Sequence, residues 1–178
     1  MSSTCRVRPE TAADVDAVRA VHVAAFPSPL ESRLVDALRT AGKAVISLVA
    51  ERDRRIVGHV LFSEVSIARG SRKGIGLAPV AVLPRAQRRG IGTGLIRAGL
   101  TRAAEIGYDF AVVLGEPAYY RRFGFETGSR FGLANDYGVD EPFMALALRA
   151  GGLAGASGVV SYQPEFSLVA SEVTGTED

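Results

Sequence analysis

The residues best suited to chemistry lie in one run, Gln87, Arg88, Arg89, Gly90, Ile91, Gly92, Thr93 and Gly94, which follows an apolar strand pattern and opens a helical one. Free amides at a helix N-terminus, glycines that let a ligand approach the backbone, and arginines at the lip together suit a pyrophosphate. The run points to a phosphorylated cofactor, although the same residues also suit a tight, solvated turn from strand to helix. Its spacing narrows the choice. Gly90 and Gly92 begin a dinucleotide fingerprint, but Leu95 stands where its third glycine belongs, and no Gly-Lys-Ser/Thr of a P-loop occurs. Metal chemistry finds no support, because one cysteine, Cys5, and two histidines, His22 and His59, offer no zinc-ligand spacing.

Such a loop needs a strand before it and a helix after it, and the chain is long enough to supply both. At ~150 residues per domain, 178 residues make one domain. Hydrophobic residues at 47% against 22% charged exclude a disordered or coiled-coil chain. With 21 Lys and Arg against 19 Asp and Glu the net charge is only +2, so no nucleic-acid partner is demanded. The longest apolar stretches, Ala44 to Ala50 and Ile75 to Leu83, fall short of the ~20 residues of a membrane helix, and Met1 to Pro9 lacks a signal-peptide core. A cytoplasmic protein with a reduced Cys5 and no membrane partner is expected.

Periodicity and breakers order the elements. A short strand ends at Pro9. Thr11, three residues before Asp14, caps a helix over 12–25 carrying Val15, Val18, Val21, His22 and Phe26 at helical spacing. Pro27 and Pro29 break it, and a second helix with Leu30, Leu34, Val35 and Leu38 runs to Gly42. Strands over 44–51 and 56–67 flank a polar hairpin turn. A strand over 75–83, a helix over 90–107 and a strand over 110–114 form a crossover, which should join parallel strands in a right-handed sense. Pro117 opens a short helix that Gly124 ends, and 143–148 is a further strand. The sum is a mixed α/β sheet covered by helices. Residues 1–150 are expected to form one domain, and 151–178 an extension in which 159–169 packs back as strand and coil and the tail from Ser171 frays.

Gln87, Gly90 and Gly92 also spell the Q/R-x-x-G-x-G/A signature of the GNAT superfamily of acetyl-CoA-dependent N-acetyltransferases, here after a strand that ends Val80, Ala81, Val82, Leu83, Pro84. A second block, Leu114 to Phe125, resembles that fold's later motif, in which a tyrosine lies four residues before a Gly-Phe pair, here Tyr120 before Gly124 and Phe125. With Ala78 to Pro84 and Val159 to Phe166, the chain resembles the YhbS-like branch. The resemblance implies a GNAT-like α/β fold: a mostly antiparallel central sheet with one splayed parallel pair. It also implies acetyl-CoA as co-substrate, without a metal. Pro79 would mark the bulge that opens the cleft for pantetheine, which would pair with the backbone of Val80, Ala81 and Val82; a simple strand end also accounts for that proline. The run from Gln87 to Gly94 would bind the cofactor, with the pyrophosphate on the amides of Arg88 to Thr93, the Val82 amide would serve the developing oxyanion, and Tyr120 would protonate the departing sulfur.

An amine acceptor, with a pKa near ~10, must lose a proton before it attacks. Glu116 and Glu64 are the candidate bases, with His59 behind them and a water relay as the alternative. Helices one and two and the Phe131 to Glu141 loop would line the acceptor side, where Asp136, Asp140 and Glu141 suit a cationic amine. A small molecule and a protein amine both fit, and a homodimer stays open. Two other classes remain: a catalytically silent acyl-CoA-binding regulator of the same fold, and a nucleotide-binding module.

Overall fold

The computed structural model describes residues 4–170. After β1 (Arg6–Pro9), Asp14 accepts from both the backbone N–H and the hydroxyl of Thr11, the reciprocal cap expected from their spacing, and α1 (Val15–Ala25) follows a short 3-10 turn. Two prolines separate it from α2 (Leu30–Thr40). The strands β2 (Ile46–Arg52) and β3 (Arg55–Arg69) form the expected hairpin, closed by Asp53 and Arg54, both left-handed at φ 51° and 59°. β4 (Gly74–Val82), α3 (Ile91–Glu105) and β5 (Phe110–Leu114) make the crossover, and β4 and β5 are parallel. Then come α4 (Pro117–Tyr120), β6 (Glu126–Thr127), β7 (Leu133–Asn135), β8 (Phe143–Ala147) and β9 (Ser157–Ser161).

The main sheet runs β1-β2-β3-β4-β5-β8-β6, with every neighbouring pair antiparallel except β4 and β5. This is the mixed sheet with one parallel pair that the resemblance implies. One face buries Val60, Phe62, Ile75 and Leu77 against Leu95, Ile96 and Leu100 of α3. The other buries Val49, Leu61 and Val65 against Val18 of α1 and Leu34, Val35 and Leu38 of α2.

Two irregularities in β4 open a cleft in this sheet. Val60 pairs with Val80 but Phe62 pairs with Leu77, so Leu61 of β3 faces two residues, Ala78 and Pro79, and the strand bulges there. Pro79 therefore marks a bulge inside a strand that continues to Val82, not a strand end. On its other edge β4 pairs with β5 only from Gly74 to Gly76. Beyond that point β5 keeps to β8 as far as Leu114, and β4 runs on with an edge that β5 does not cover.

The C-terminal segment returns to the sheet. β9 pairs antiparallel with the far end of β3, through Ser66 to Ser161 and Ile67 to Val160, and parallel with β7. The strand begins at Ser157, two residues earlier than the sequence suggests, and a 3-10 turn over Pro164–Leu168 follows. The expected fraying from Ser171 lies outside the described residues. Among the described residues no helix is long and apolar enough to cross a membrane.

Candidate active site

The glycine loop has a backbone built for anions. Arg88 and Gly90 are left-handed at φ 58° and 77°, and α3 starts immediately after them. That alternation turns successive N–H groups toward one concavity. The first turn of α3 carries no acidic residue and no side-chain cap. Gly94 N–H is already spent on the Gly90 carbonyl at 2.9 Å, so the amides of residues 91–93 form the helix's open end. A cavity of about 570 Å³ lies over this loop, lined by Val80, Ala81, Val82, Gln87, Arg88, Gly90, Ile91, Gly92 and Thr93, with Tyr119 and Arg122 across from them. Among the described residues its charged lining is Arg88 and Arg122. Of the loop residues named from sequence, Arg89 and Gly94 do not line it. Gln87 acts on the loop's shape, donating from its carboxamide to the Val82 carbonyl at 3.1 Å.

A second cavity, of about 370 Å³, opens in the fork between β4 and β5 and meets the first at Val80, which lines both. Its floor is Leu77, Ala78 and Pro79, the bulged stretch, and Leu114 and Gly115 form the opposing bank. Tyr120 stands in this cavity and Tyr119 in the other, their rings edge to face at 5.1 Å. Both adjacent tyrosines thus face cavity space, where the sequence gives the cleft to Tyr120 and leaves Tyr119 to packing or solvent. Tyr120 is 8% exposed, packed by Phe123 and Phe125, and burial holds its phenol far above the ordinary tyrosine range, so it stays protonated at any working pH. Gly115 makes room for it. A Cβ at that position would lie 2.3 Å from the Tyr120 ring. The only sequence signal of that close approach is a glycine placed directly after a strand, and it does not stand out from the chain's other turn glycines.

The acids fall differently from expectation. Glu116 lies at the cavity rim, where its carboxylate accepts from Ala118 N–H and so caps the short helix that carries Tyr120. Glu64 does not line either cavity; it is exposed on β3, on the side of Tyr108. His59 is also elsewhere. It is fully buried between His22, at 2.8 Å, and Ser47, at 2.7 Å, and burial pushes its pKa down. Asp136 is engaged by the Ser161 hydroxyl and the Tyr162 N–H, and neither Asp140 nor Glu141 reaches the fork. The carboxylate that does line it, besides Glu116, is Glu31 in the first turn of α2. Nothing in the spacing around Glu31 sets it apart from a solvated helix-start acid. The remaining wall is aromatic and aliphatic, from Phe26 and Leu34 of the first two helices to Tyr137, Tyr162, Phe166 and Val169. Among the described residues no group of three or more His, Cys, Asp or Glu is placed to hold a metal.

A bulged, half-free strand leading into a glycine loop at a helix start, with a buried tyrosine at the fork, defines an acyl-CoA transferase architecture, and residues 6–128 match the acetyltransferase (GNAT) domain model. The chain belongs to the GNAT acetyltransferases. It is 33% identical over 163 residues to the Escherichia coli K12 protein named uncharacterized N-acetyltransferase YhbS, covering 90% of this chain and 98% of that one. The crystal structure of E. coli YhbS in complex with CoA superposes with a TM-score of 0.90 at 32% identity over 94% of each chain. A GNAT family acetyltransferase from Brucella melitensis in complex with acetyl-CoA gives a TM-score of 0.77 at 35% identity, over 92% of this chain and 99% of that one.

Proposed function

We propose that this acetyltransferase moves the acetyl group of acetyl-CoA to a primary amine by direct attack, with both substrates bound at once. One observation carries the reading: a cavity whose described charged residues are cationic and a cavity whose described charged residues are acidic meet at Val80, on the uncovered edge of a bulged strand. An anionic cofactor and a cationic amine are each matched to one side.

Acetyl-CoA supplies an activated thioester. Its pyrophosphate suits the amides of residues 88–93, and Arg122, stacked over the Tyr119 ring at 4.3 Å, adds charge at the same lip. The backbone of Val80, Ala81 and Val82 offers the pantetheine arm an unfilled strand position, and the Val82 amide is the donor for charge developing on the carbonyl oxygen. Tyr120, kept protonated by burial, gives its proton to the sulfur as the carbon–sulfur bond breaks. For the proton on the amine, Glu116 at the rim and water reached through it are better placed than Glu64. Residues 1–150 make the transferase domain in this reading, and 151–178 an extension whose described residues Tyr162, Phe166 and Val169 line the acceptor side. A cytoplasmic setting suits the free thiol of Cys5.

Calorimetric titration with acetyl-CoA and with ATP, followed by mass spectrometry of amines incubated with protein and acetyl-CoA, tests this. Acetyl-CoA should bind, ATP should not, and a product heavier by one acetyl group should appear. Binding without any acetylated product would favour a silent acyl-CoA-binding protein.

A further inference from the structure

The fork cavity has a composition that selects among amines. Its walls are Phe26, Leu34, Leu114, Tyr137, Tyr162, Phe166 and Val169, and its only charges among the described lining residues are Glu31 and Glu116. Glu31 is 9% exposed, on the first turn of α2, whereas Glu116 is exposed at the rim and caps α4. A second polar group points the same way. Tyr162, from the segment after β9, is 9% exposed, and its hydroxyl is buried without a hydrogen-bond partner among the described residues. Its ring lies against Gly76, within 3.0 Å of where a Cβ would stand, and Gly76 is the last residue of β4 paired to β5. The unpaired phenol is therefore held at the root of the fork.

A buried hydroxyl left without a partner is costly unless something else supplies one. A carboxylate that lines an otherwise apolar cavity favours a cationic occupant over a neutral one. Resting on the acetyl-transfer reading above, we propose that the acceptor is a primary amine on a compact apolar body, whose ammonium end is recognised by Glu31 and the Tyr162 hydroxyl. The body lies among the aromatic side chains, whose faces also favour a cation. The same walls argue against other amines. A free amino acid brings a carboxylate to a cavity with no lysine or arginine among its described lining residues. A polyamine or an aminoglycoside brings further charges or hydroxyls that apolar walls cannot satisfy, and a peptide brings its backbone polar groups.

The test is a thiol-release assay at saturating acetyl-CoA, on full-length protein whose acetyl-CoA binding has first been measured by calorimetry. The acceptors are 2-phenylethylamine, phenylalanine, spermidine, kanamycin and a short peptide with a free N-terminus. The kcat/KM for 2-phenylethylamine should exceed that for each of the others by about 10²-fold, the penalty of one charge or polar group left unpaired in a buried site. Glu31→Gln should lower kcat/KM for 2-phenylethylamine by a similar factor, mainly through KM, with acetyl-CoA affinity unchanged. Tyr162→Phe should raise that KM about tenfold while Tm stays level or rises, because the change removes an unsatisfied hydroxyl; a purely structural hydroxyl would lower Tm and leave KM alone. Preference for phenylalanine, spermidine, kanamycin or the peptide overturns the proposal, as does an unchanged KM in both variants. So does acetyl-CoA binding with no turnover of 2-phenylethylamine. Failure to bind acetyl-CoA would instead overturn acetyl transfer itself.

Discussion

Tyr119 and Tyr120 are neighbours in the chain but stand in different cavities. Tyr120 faces the fork and Tyr119 faces the glycine loop, so in the proposed reaction their hydroxyls should matter to different steps. Tyr120→Phe should lose about 10²- to 10⁴-fold in kcat with little change in acetyl-CoA affinity, the usual range for a positioned general acid. Tyr119→Phe should lose far less in kcat. Steady-state turnover and calorimetry on both variants check this, and near-wild-type turnover in Tyr120→Phe with chemistry rate-limiting would remove it from the mechanism. Gly92 gives a second, independent probe of the loop. A Cβ there lies 3.2 Å from the Tyr119 hydroxyl, on the face where the phosphate is proposed to sit. Gly92→Val should weaken acetyl-CoA binding at least tenfold in a folded protein; unchanged affinity would move the phosphate elsewhere. The loop is legible in sequence because glycine and arginine spacing is a local signal. Glu31 and Tyr162 are not, because nothing near them in the chain says that α2 and the segment after β9 converge on one fork.

Among the elements, β4 is plain from its sequence and β9 only in part. The run Ile75 to Leu83 announces a buried strand by composition, and Pro79 announces its irregularity, since proline cannot serve a regular ladder. The register that turns that irregularity into a cleft is non-local: it depends on β5 turning to follow β8 after Gly76. The strands β6 and β7 span Glu126–Thr127 and Leu133–Asn135, too short for period-two alternation to identify. The pairing of β9 with β3 has an energetic consequence. Val160 is fully buried where β9 meets Ile67 of β3 and Asn135 of β7. Val160→Ala should cost about 1–3 kcal/mol of stability. It should also lower turnover through acceptor KM, with acetyl-CoA affinity intact. Thermal denaturation and kinetics measured together check it; equal losses in both substrates' binding would mean that the segment supports the fold without shaping the acceptor wall.

Stability of the fold as a unit should depend on pH through a buried polar chain that takes no part in the fork. His22 bonds His59, His59 bonds Ser47, and Ser47 bonds Glu10, which also pairs with Arg39. Burial, reinforced by the neighbouring His59, pushes the His22 pKa down to about 3, and burial lowers His59 as well. For Glu10 burial works upward, but hydrogen bonds with His59 and Ser47 and the Arg39 charge outweigh it and leave the carboxyl at about 2. All three groups hold fewer protons folded than unfolded. Stability is therefore full above the unfolded histidine pKa and is lost as pH falls, by about 1.4 kcal/mol per pH unit for each imidazole kept neutral, starting near pH ~6.5. Glu10 adds to the loss below its ordinary value of 4.5. Urea midpoints should stay level from about pH 7.5 to about 6.5 and then fall steadily to about pH 5 at constant m-value; a flat profile throughout would mean that the imidazoles titrate normally in the fold.

The family match closes at residue 128, and the walls of the fork do not. The strand, loop and helix that suit the cofactor lie inside the matched stretch, whereas Tyr137, Tyr162, Phe166 and Val169 lie beyond it. The fork is thus shared between the two parts of the chain, with Phe26, Glu31 and Leu34 inside the match and four aromatic or aliphatic wall residues beyond it. If the proposed acceptor site is right, substitutions at those four positions should change the preferred amine while leaving acetyl-CoA binding intact.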